Sequence, residues 1–176
     1  MPAGRLFLTR QPRPLGLGHA VWCAAKLVGD EPFAVLLPDV LIRHPQGCLR
    51  QMIDVYEAHG GNVIAVENVA REETSKYGIV DTGGADGKIL PVKGLVEKPK
   101  PEEAPSTLSV VGRYILQPEI FDYLSAFEKG AGGEIQLTDA MAKLIGRQPF
   151  HTLRFEGRSY DCGSRLGFIE ANMVFG

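Results

Sequence analysis

The sequence predicts an α/β fold in which a mixed, mostly parallel sheet is flanked by helices. Three observations carry that expectation. A Gly-rich turn, P-L-G-L-G-H-A at residues 14–20, leads straight into an amphipathic stretch. An apolar run from Phe33 to Leu37 is followed by a helical pattern and then by a second apolar run from Asn62 to Val66, which together make a strand, helix, strand unit. Beyond it, β-rich segments separated by turn-forming residues give way to two more helical patterns and a last strand.

Taken in order, Ala20, Val21, Ala24, Leu27 and Val28 recur at helical spacing and mark the first helix. Phe33 to Leu37 is short and almost wholly apolar, as expected of a strand covered on both faces, and it stops at Pro38 and Asp39. Asp39 is thereby expected at a strand's carboxyl end. Leu49, Met52, Ile53 and Tyr56 define a second helix closed by Gly60 and Gly61, after which Asn62 to Val66 is the next strand. Tyr77 to Asp81, Ile89 to Glu97 and Leu108 to Leu116 are strands divided by Gly, Asp and Pro clusters, so part of the sheet is not parallel. Pro118 suits the first position of a helix with Ile120, Phe121, Leu124 and Phe127 inward. Another helix carries Leu137, Met141, Leu144 and Ile145, with Thr138 as its N-cap. A final strand, Phe150 to Phe155, leads on to Asp161, and a closing helix starts near Ser164. No repeat, low-complexity tract or long linker divides the chain, which is expected to form a single domain over residues 1–176.

Composition removes several classes of function. Against 21 acidic residues stand 19 basic ones, a net charge of -2, so there is no basic field for a nucleic-acid backbone. The opening M-P-A-G-R-L-F-L-T-R has no apolar signal core, and no run approaches the roughly 20 apolar residues of a membrane span. A cytoplasmic protein without membrane or nucleic-acid partners is expected. Cys23, Cys48 and Cys162 are scattered without C-x-x-C spacing, which suggests reduced thiols rather than a disulfide framework or zinc site.

Chemistry is expected where strands end, because open α/β sheets bind ligands at the carboxyl edge. Asp39 and Asp161 both fall there, and two carboxylates suit Mg²⁺, whose remaining positions go to phosphate oxygens and water. Each Asp alone reads equally as a turn or cap residue. The Gly-rich loop either brings backbone close to a ring or an anion, or is simply a tight entry to a helix; it is not a Walker loop, because it lacks the Gly-Lys-Ser/Thr ending. Glu97 and Lys98 would point to opposite faces of a regular strand, and both face one cleft only if the backbone turns at Pro99. Otherwise they form a surface ion pair.

The ordered series K-Y-G-I-V-D, G-L-V-E-K-P-K, V-G-R-Y-I-L, G-E-I-Q-L-T-D-A and Y-D-C-G, after P-L-G-L-G-H-A, resembles bacterial UTP:glucose-1-phosphate uridylyltransferases from about Gln11 to the last residue. The resemblance implies a Rossmann-like fold of the nucleotide-diphospho-sugar transferase type. It also implies a function: uridylyl transfer from UTP to glucose 1-phosphate, giving UDP-glucose and pyrophosphate. By the same resemblance Gln11 and Gly16 hold the nucleotide base, Gly78, Glu97, Gly112 and Glu134 line the sugar pocket, Lys98 contacts phosphate as a catalytic cation, and Asp39 and Asp161 bind Mg²⁺. Asp39 thus counts as both catalytic and metal-binding. His19 is expected as a residue of the helix start, and Asp139 is left outside the site. The family opens with a loop of the type G-x-G-T-R followed by a distant Lys, and this sequence holds no such loop; it therefore reads as an amino-terminally truncated member. Two alternatives follow: a catalytically silent fragment that keeps sugar-nucleotide binding or only a structural role, and a thymidylyl- or guanylyltransferase acting on a hexose 1-phosphate. With the first family strand absent, Arg5 to Thr9 is expected to pair with the Phe33 to Leu37 edge, assisted by a homodimer or higher homo-oligomer.

Overall fold

A computed structural model describes residues 6–176. The expected first helix is two short ones, α1 (Leu17–Trp22) and α2 (Ala25–Val28), with Val21 buried and Leu27 exposed. β1 (Phe33–Leu36) and β2 (Val40–Arg43) are joined by a tight turn through Pro38 and Asp39. β1 is not covered on both faces, contrary to its apolar composition: Ala34 is exposed and Leu36 is 48% exposed. The reason is its position at an edge: among the described residues it pairs only with β7 (Leu108–Leu116), from Phe33 opposite Leu116 to Leu36 opposite Arg113. The segment expected to close its other edge does not do so. Leu6 to Thr9 is irregular and exposed, with Leu8 at 89%, and Arg5 lies outside the described residues.

α3 (Cys48–His59) ends at Gly60, whose φ of 67° is the left-handed conformation that stops a helix. β3 (Asn62–Asn68) follows and is the centre of the sheet. Its alternation divides the core. Val63 and Ala65 pack with Cys48, Met52 and Val55 of α3, whereas Ile64 and Val66 pack with Leu116, Ile120, Leu124, Leu137 and Met141 on the opposite face. Each such side chain contributes about 1.5–3 kcal/mol on full burial.

The remaining strands are β4 (Gly78–Asp81), β5 (Ile89–Pro91), β6 (Gly94–Glu97), β8 (Phe150–Arg154) and β9 (Arg158–Asp161). Spatial order is β5-β8-β3-β7-β4-β6, with β1 also on β7. The sheet is mixed, as expected, but the expected predominance of parallel pairing is corrected: among the described residues only the β3–β8 ladder is parallel. The turn-rich 77–116 stretch folds back on itself, and β7, the longest strand, pairs antiparallel with β1, β3 and β4.

α4 (Ile120–Leu124) buries Ile120 and Leu124, and Phe127 lies beyond its end at φ 50° with its ring 4.7 Å from Trp22. α5 (Leu137–Leu144) starts at Gln136, so Thr138 sits inside the helix rather than capping it, and Ile145 lies just outside. β9 was not anticipated; it pairs antiparallel with β2 in a separate two-stranded sheet. Ser164 caps α6 (Arg165–Phe175) by accepting from the Gly167 N–H at 3.1 Å. Only Ala171 of α6 is buried, while Leu166, Phe168, Ile169 and Met173 are exposed. Among the described residues no helix is long and apolar enough to cross a membrane.

Candidate active site

The β2–β9 ladder sets Val40 opposite Asp161, and the Cys162 N–H donates to the Asp39 carbonyl at 2.7 Å. Two aspartates from opposite ends of the sequence are thereby held side by side by backbone bonds. Both carboxylates are exposed and line one cleft of about 400 Å³. The same cleft is lined by Gly78, Glu97, Lys98, Gly112 and Glu134, the residues expected to meet sugar and phosphate. Asp39 therefore lies in a turn between two strands rather than at the edge of a parallel sheet, and Asp161 ends a strand unseen in the sequence. Asp139 lines a separate cavity of about 380 Å³ with Glu128, Lys129 and Lys143.

Glu97 and Lys98 face the cleft together because Lys98 adopts φ 48°. Its N–H still donates to the Tyr77 carbonyl at 2.9 Å, so the chain bends without leaving β4. The two do form an ion pair, set at the cleft wall: Nζ stands 3.6 Å from Oε1, with the Glu97 side chain 11% exposed and Lys98 49% exposed. The other carboxylate oxygen, Oε2, accepts the Thr138 hydroxyl at 2.7 Å. Thr138, expected as a cap, is instead a buried partner of Glu97. Gly78 lies opposite Glu97 in the ladder, and a Cβ there would sit 3.2 Å from Oε2, so the missing side chain makes room for that carboxylate.

Gly112 sits at φ 69°, and a Cβ there would meet Leu37 Cδ1 at 2.9 Å. Glu134 accepts the Gln136 amide through Oε2 at 3.2 Å. Tyr114 also lines the cleft, and burial, with Glu97 and Asp39 nearby, pushes its phenol pKa upward, so it remains a neutral hydroxyl.

Gln11 and Gly16 do not line this cleft. The Gln11 amide nitrogen donates to the Gly16 carbonyl at 3.1 Å and lies 3.0 Å from Nδ1 of the buried His19. Cβ atoms on Gly16 and Gly18 would meet the Ile135 carbonyl at 2.7 and 2.8 Å. The Gly18 N–H donates to that same oxygen and the Ile135 N–H to Leu15. These glycines thus press one backbone against another, which carries Glu134 to the cleft wall.

Sequence reasoning passed over Glu67, Lys76, Tyr77 and Ser159, which also line the cleft. Ser159 donates to Glu67 Oε2 at 2.7 Å. Lys76 and Tyr77 were legible in principle, since they precede Gly78 in the K-Y-G motif. Altogether Asp39, Glu67, Glu97, Glu134 and Asp161 face the cleft against the ammonium groups of Lys76 and Lys98. Such a surplus of carboxylate suits a divalent cation and a polyhydroxyl ligand. Among the described residues no cluster of three or more metal-binding side chains occurs; Asp39 and Asp161 are two hard oxygen donors in the cleft, of a kind that suits a divalent cation.

Residues 5–175 match the nucleotidyl transferase family. The chain belongs to that family. Nucleotidyl transferases similar to it include a UTP--glucose-1-phosphate uridylyltransferase of Komagataeibacter xylinus, 56% identical over 86% of this chain and 53% of the relative. Another, YngB of Bacillus subtilis (strain 168), is 49% identical over 95% of this chain and 56% of its own length. The chain spans between 53% and 57% of the length of the first curated relatives it matches. Among solved nucleotidyl transferases, a UDP-glucose pyrophosphorylase complexed with UDP-glucose superposes with a TM-score of 0.89 at 43% identity, over 95% of this chain and 64% of that one. A UTP-bound enzyme from Acinetobacter baumannii gives 0.84 at 44%, over 96% and 59%.

Proposed function

We propose that this chain takes part in uridylyl transfer from UTP to glucose 1-phosphate, forming UDP-glucose and pyrophosphate. The observation that carries the proposal is convergence: Asp39, Gly78, Glu97, Lys98, Gly112, Glu134 and Asp161, drawn from separate segments, share one cleft. The relatives bound to UDP-glucose and to UTP support the same substrates.

In this reading an oxygen of the sugar phosphate attacks the α-phosphorus of UTP in line, the bond to the β-phosphate breaks, and pyrophosphate departs without a covalent enzyme intermediate. Positioning and charge neutralisation supply the rate. Glu97, with Oε2 bonded to Thr138 and Oε1 3.6 Å from the Lys98 ammonium, has lone pairs left on Oε1 for sugar hydroxyls. Lys98, half-exposed at the mouth, contacts phosphate as a compact positive charge. Glu134 adds a second acceptor for the hexose, and Gly112 keeps the wall beside Leu37 free of a side chain. Asp39 and Asp161 would hold Mg²⁺, which when bound neutralises phosphate charge. Gln11 and Gly16 would hold the base at the neighbouring loop. With its nitrogen turned to Gly16, Gln11 has its oxygen left to accept from a base N–H.

Pyrophosphate release with UTP, glucose 1-phosphate and Mg²⁺, paired with UDP-glucose calorimetry, tests the proposal. Binding of UDP-glucose that Lys98→Ala weakens is the expected result, with or without turnover by this chain alone. Binding without turnover would favour the silent-fragment alternative. A preference for dTTP or GTP would replace uridylyl by thymidylyl or guanylyl transfer. No affinity at millimolar UDP-glucose would overturn the reading.

A further inference from the structure

Arg113 is the most unusual charged group among the described residues outside the cleft lining. It is 8% exposed, it sits inside β7, and it has no carboxylate partner. A buried cation without an anion is costly unless its donors are fully used. Here three of its five N–H donors are spent on backbone. One nitrogen, Nη1, donates to the Leu37 carbonyl at 2.6 Å and to Gly112 at 3.0 Å, and the other, Nη2, donates to Val40.

The placement of these carbonyls gives the guanidinium its meaning. Leu37 and Val40 flank the turn through Pro38 and Asp39, so one planar fork grips that turn on both sides of Asp39. The Leu37 N–H is also tied to the Gly112 carbonyl at 3.0 Å, and the Asp39 carbonyl accepts from Cys162, next to Asp161. Arg113 therefore braces one side of the turn while β9 braces the other.

We infer that Arg113 is a positioning residue that holds the Asp39 turn at its set distance from Asp161, so that the two carboxylates can act on one divalent cation. The inference rests on the metal-binding reading of those aspartates. Lysine cannot substitute: it keeps the charge, but a single ammonium lacks the rigid fork that reaches carbonyls on both sides of the turn. Among the described residues the guanidinium pairs with neither aspartate, which leaves both carboxylates for the cation.

The test needs a readout of the turn and one of the metal, both on the full chain. In the unaltered protein, nitrogen-15 NMR should show separate, slowly exchanging Nη–H signals for Arg113; an averaged signal overturns the inference without any variant. In Arg113→Lys, hydrogen exchange at the Cys162 amide should quicken about tenfold or more while the Val63 to Val66 amides of β3 stay protected. Unchanged protection at Cys162 overturns it. Mn²⁺ titration followed by electron paramagnetic resonance, with UDP-glucose present, should weaken about tenfold in Arg113→Lys and not in Gln51→Leu. The latter breaks the Gln51 bonds to the Glu156 backbone, away from the cleft. Equal weakening in both variants, or none in Arg113→Lys while Asp39→Asn abolishes binding, overturns the positioning role. If Asp39→Asn leaves Mn²⁺ binding intact, the metal reading is what fails, and the exchange result still decides whether Arg113 braces the turn.

Discussion

Gly112→Ala should destabilise the chain by about 2–5 kcal/mol. Two separate causes add. The residue sits at φ 69°, where an L side chain costs about 1–2 kcal/mol. Its new Cβ would lie 2.9 Å from Leu37 Cδ1 and 3.0 Å from Leu37 Cβ and Cγ, and overpacking of this kind costs about 1–3 kcal/mol. Leu37 cannot simply retreat, since its N–H is bonded to the Gly112 carbonyl at 3.0 Å and its own carbonyl is held by Arg113. Urea unfolding, followed by tryptophan fluorescence of Trp22 and by circular dichroism, measures the loss. A double-mutant cycle separates the causes: in a Leu37→Ala background the clashes with Cδ1 and Cγ disappear and only the contact with Cβ stays, so Gly112→Ala should cost less, nearer the backbone share of about 1–2 kcal/mol. A cost below about 0.5 kcal/mol, or the same cost in both backgrounds, would refute the argument that Gly112 is required by the packing of Leu37.

Thr138→Val keeps the volume of the buried side chain but removes the 2.7 Å hydroxyl donated to Glu97. Hydrogen bonds to charged groups contribute about 1.5–3 kcal/mol, so UDP-glucose affinity should fall about tenfold or more by calorimetry, and an unchanged Kd would show that Glu97 is held by other means. Burial pushes the Cys48 thiol up to about 11, against the weaker opposing pull of Arg113, so a disulfide reagent at pH 8 should label Cys23 and Cys162 first. Because the folded value is raised from the ordinary 9.0, the thiol's contribution to stability is fully present below about 9 and is lost as pH rises from there through about 11; rapid labelling of Cys48 in the native chain at pH 8 would contradict its burial. The homodimer expected from the sequence is checked by size-exclusion chromatography with light scattering at tens of micromolar, where a strictly monomeric species would overturn it.

The elements that local pattern determines were legible, and those that need a distant partner were not. Cys48–His59 and Asn62–Asn68 could be read because helical spacing, a closing glycine and an apolar run are all local signals. β9 escaped notice because R-S-Y-D has no apolar alternation of its own; it is a strand only through β2, far away in sequence. The same dependence explains the misreading of Phe33 to Leu37, whose apolar composition suggested two covered faces although β7 is its one partner among the described residues. At the site, Gly78, Glu97, Lys98, Gly112, Glu134 and Asp161 come together in one cleft and Gly16 does not, while the reasons for the glycines differ from the expected ones. Gly16 and Gly112 are glycines because the Ile135 backbone and Leu37 lie where a Cβ would be, and Gly78 because Glu97 Oε2 is 3.2 Å from that point. A sequence motif records that a side chain is forbidden and does not say what forbids it. The excluding neighbours of Gly78 and Gly112 in this cleft, and of Gly16 outside it, are parts of the protein that themselves carry or border Glu97, Asp39 and Glu134. The glycines therefore serve a ligand at one remove, by letting the acidic residues stand where a ligand can meet them, and substitutions at those glycines should disturb packing first and binding through it.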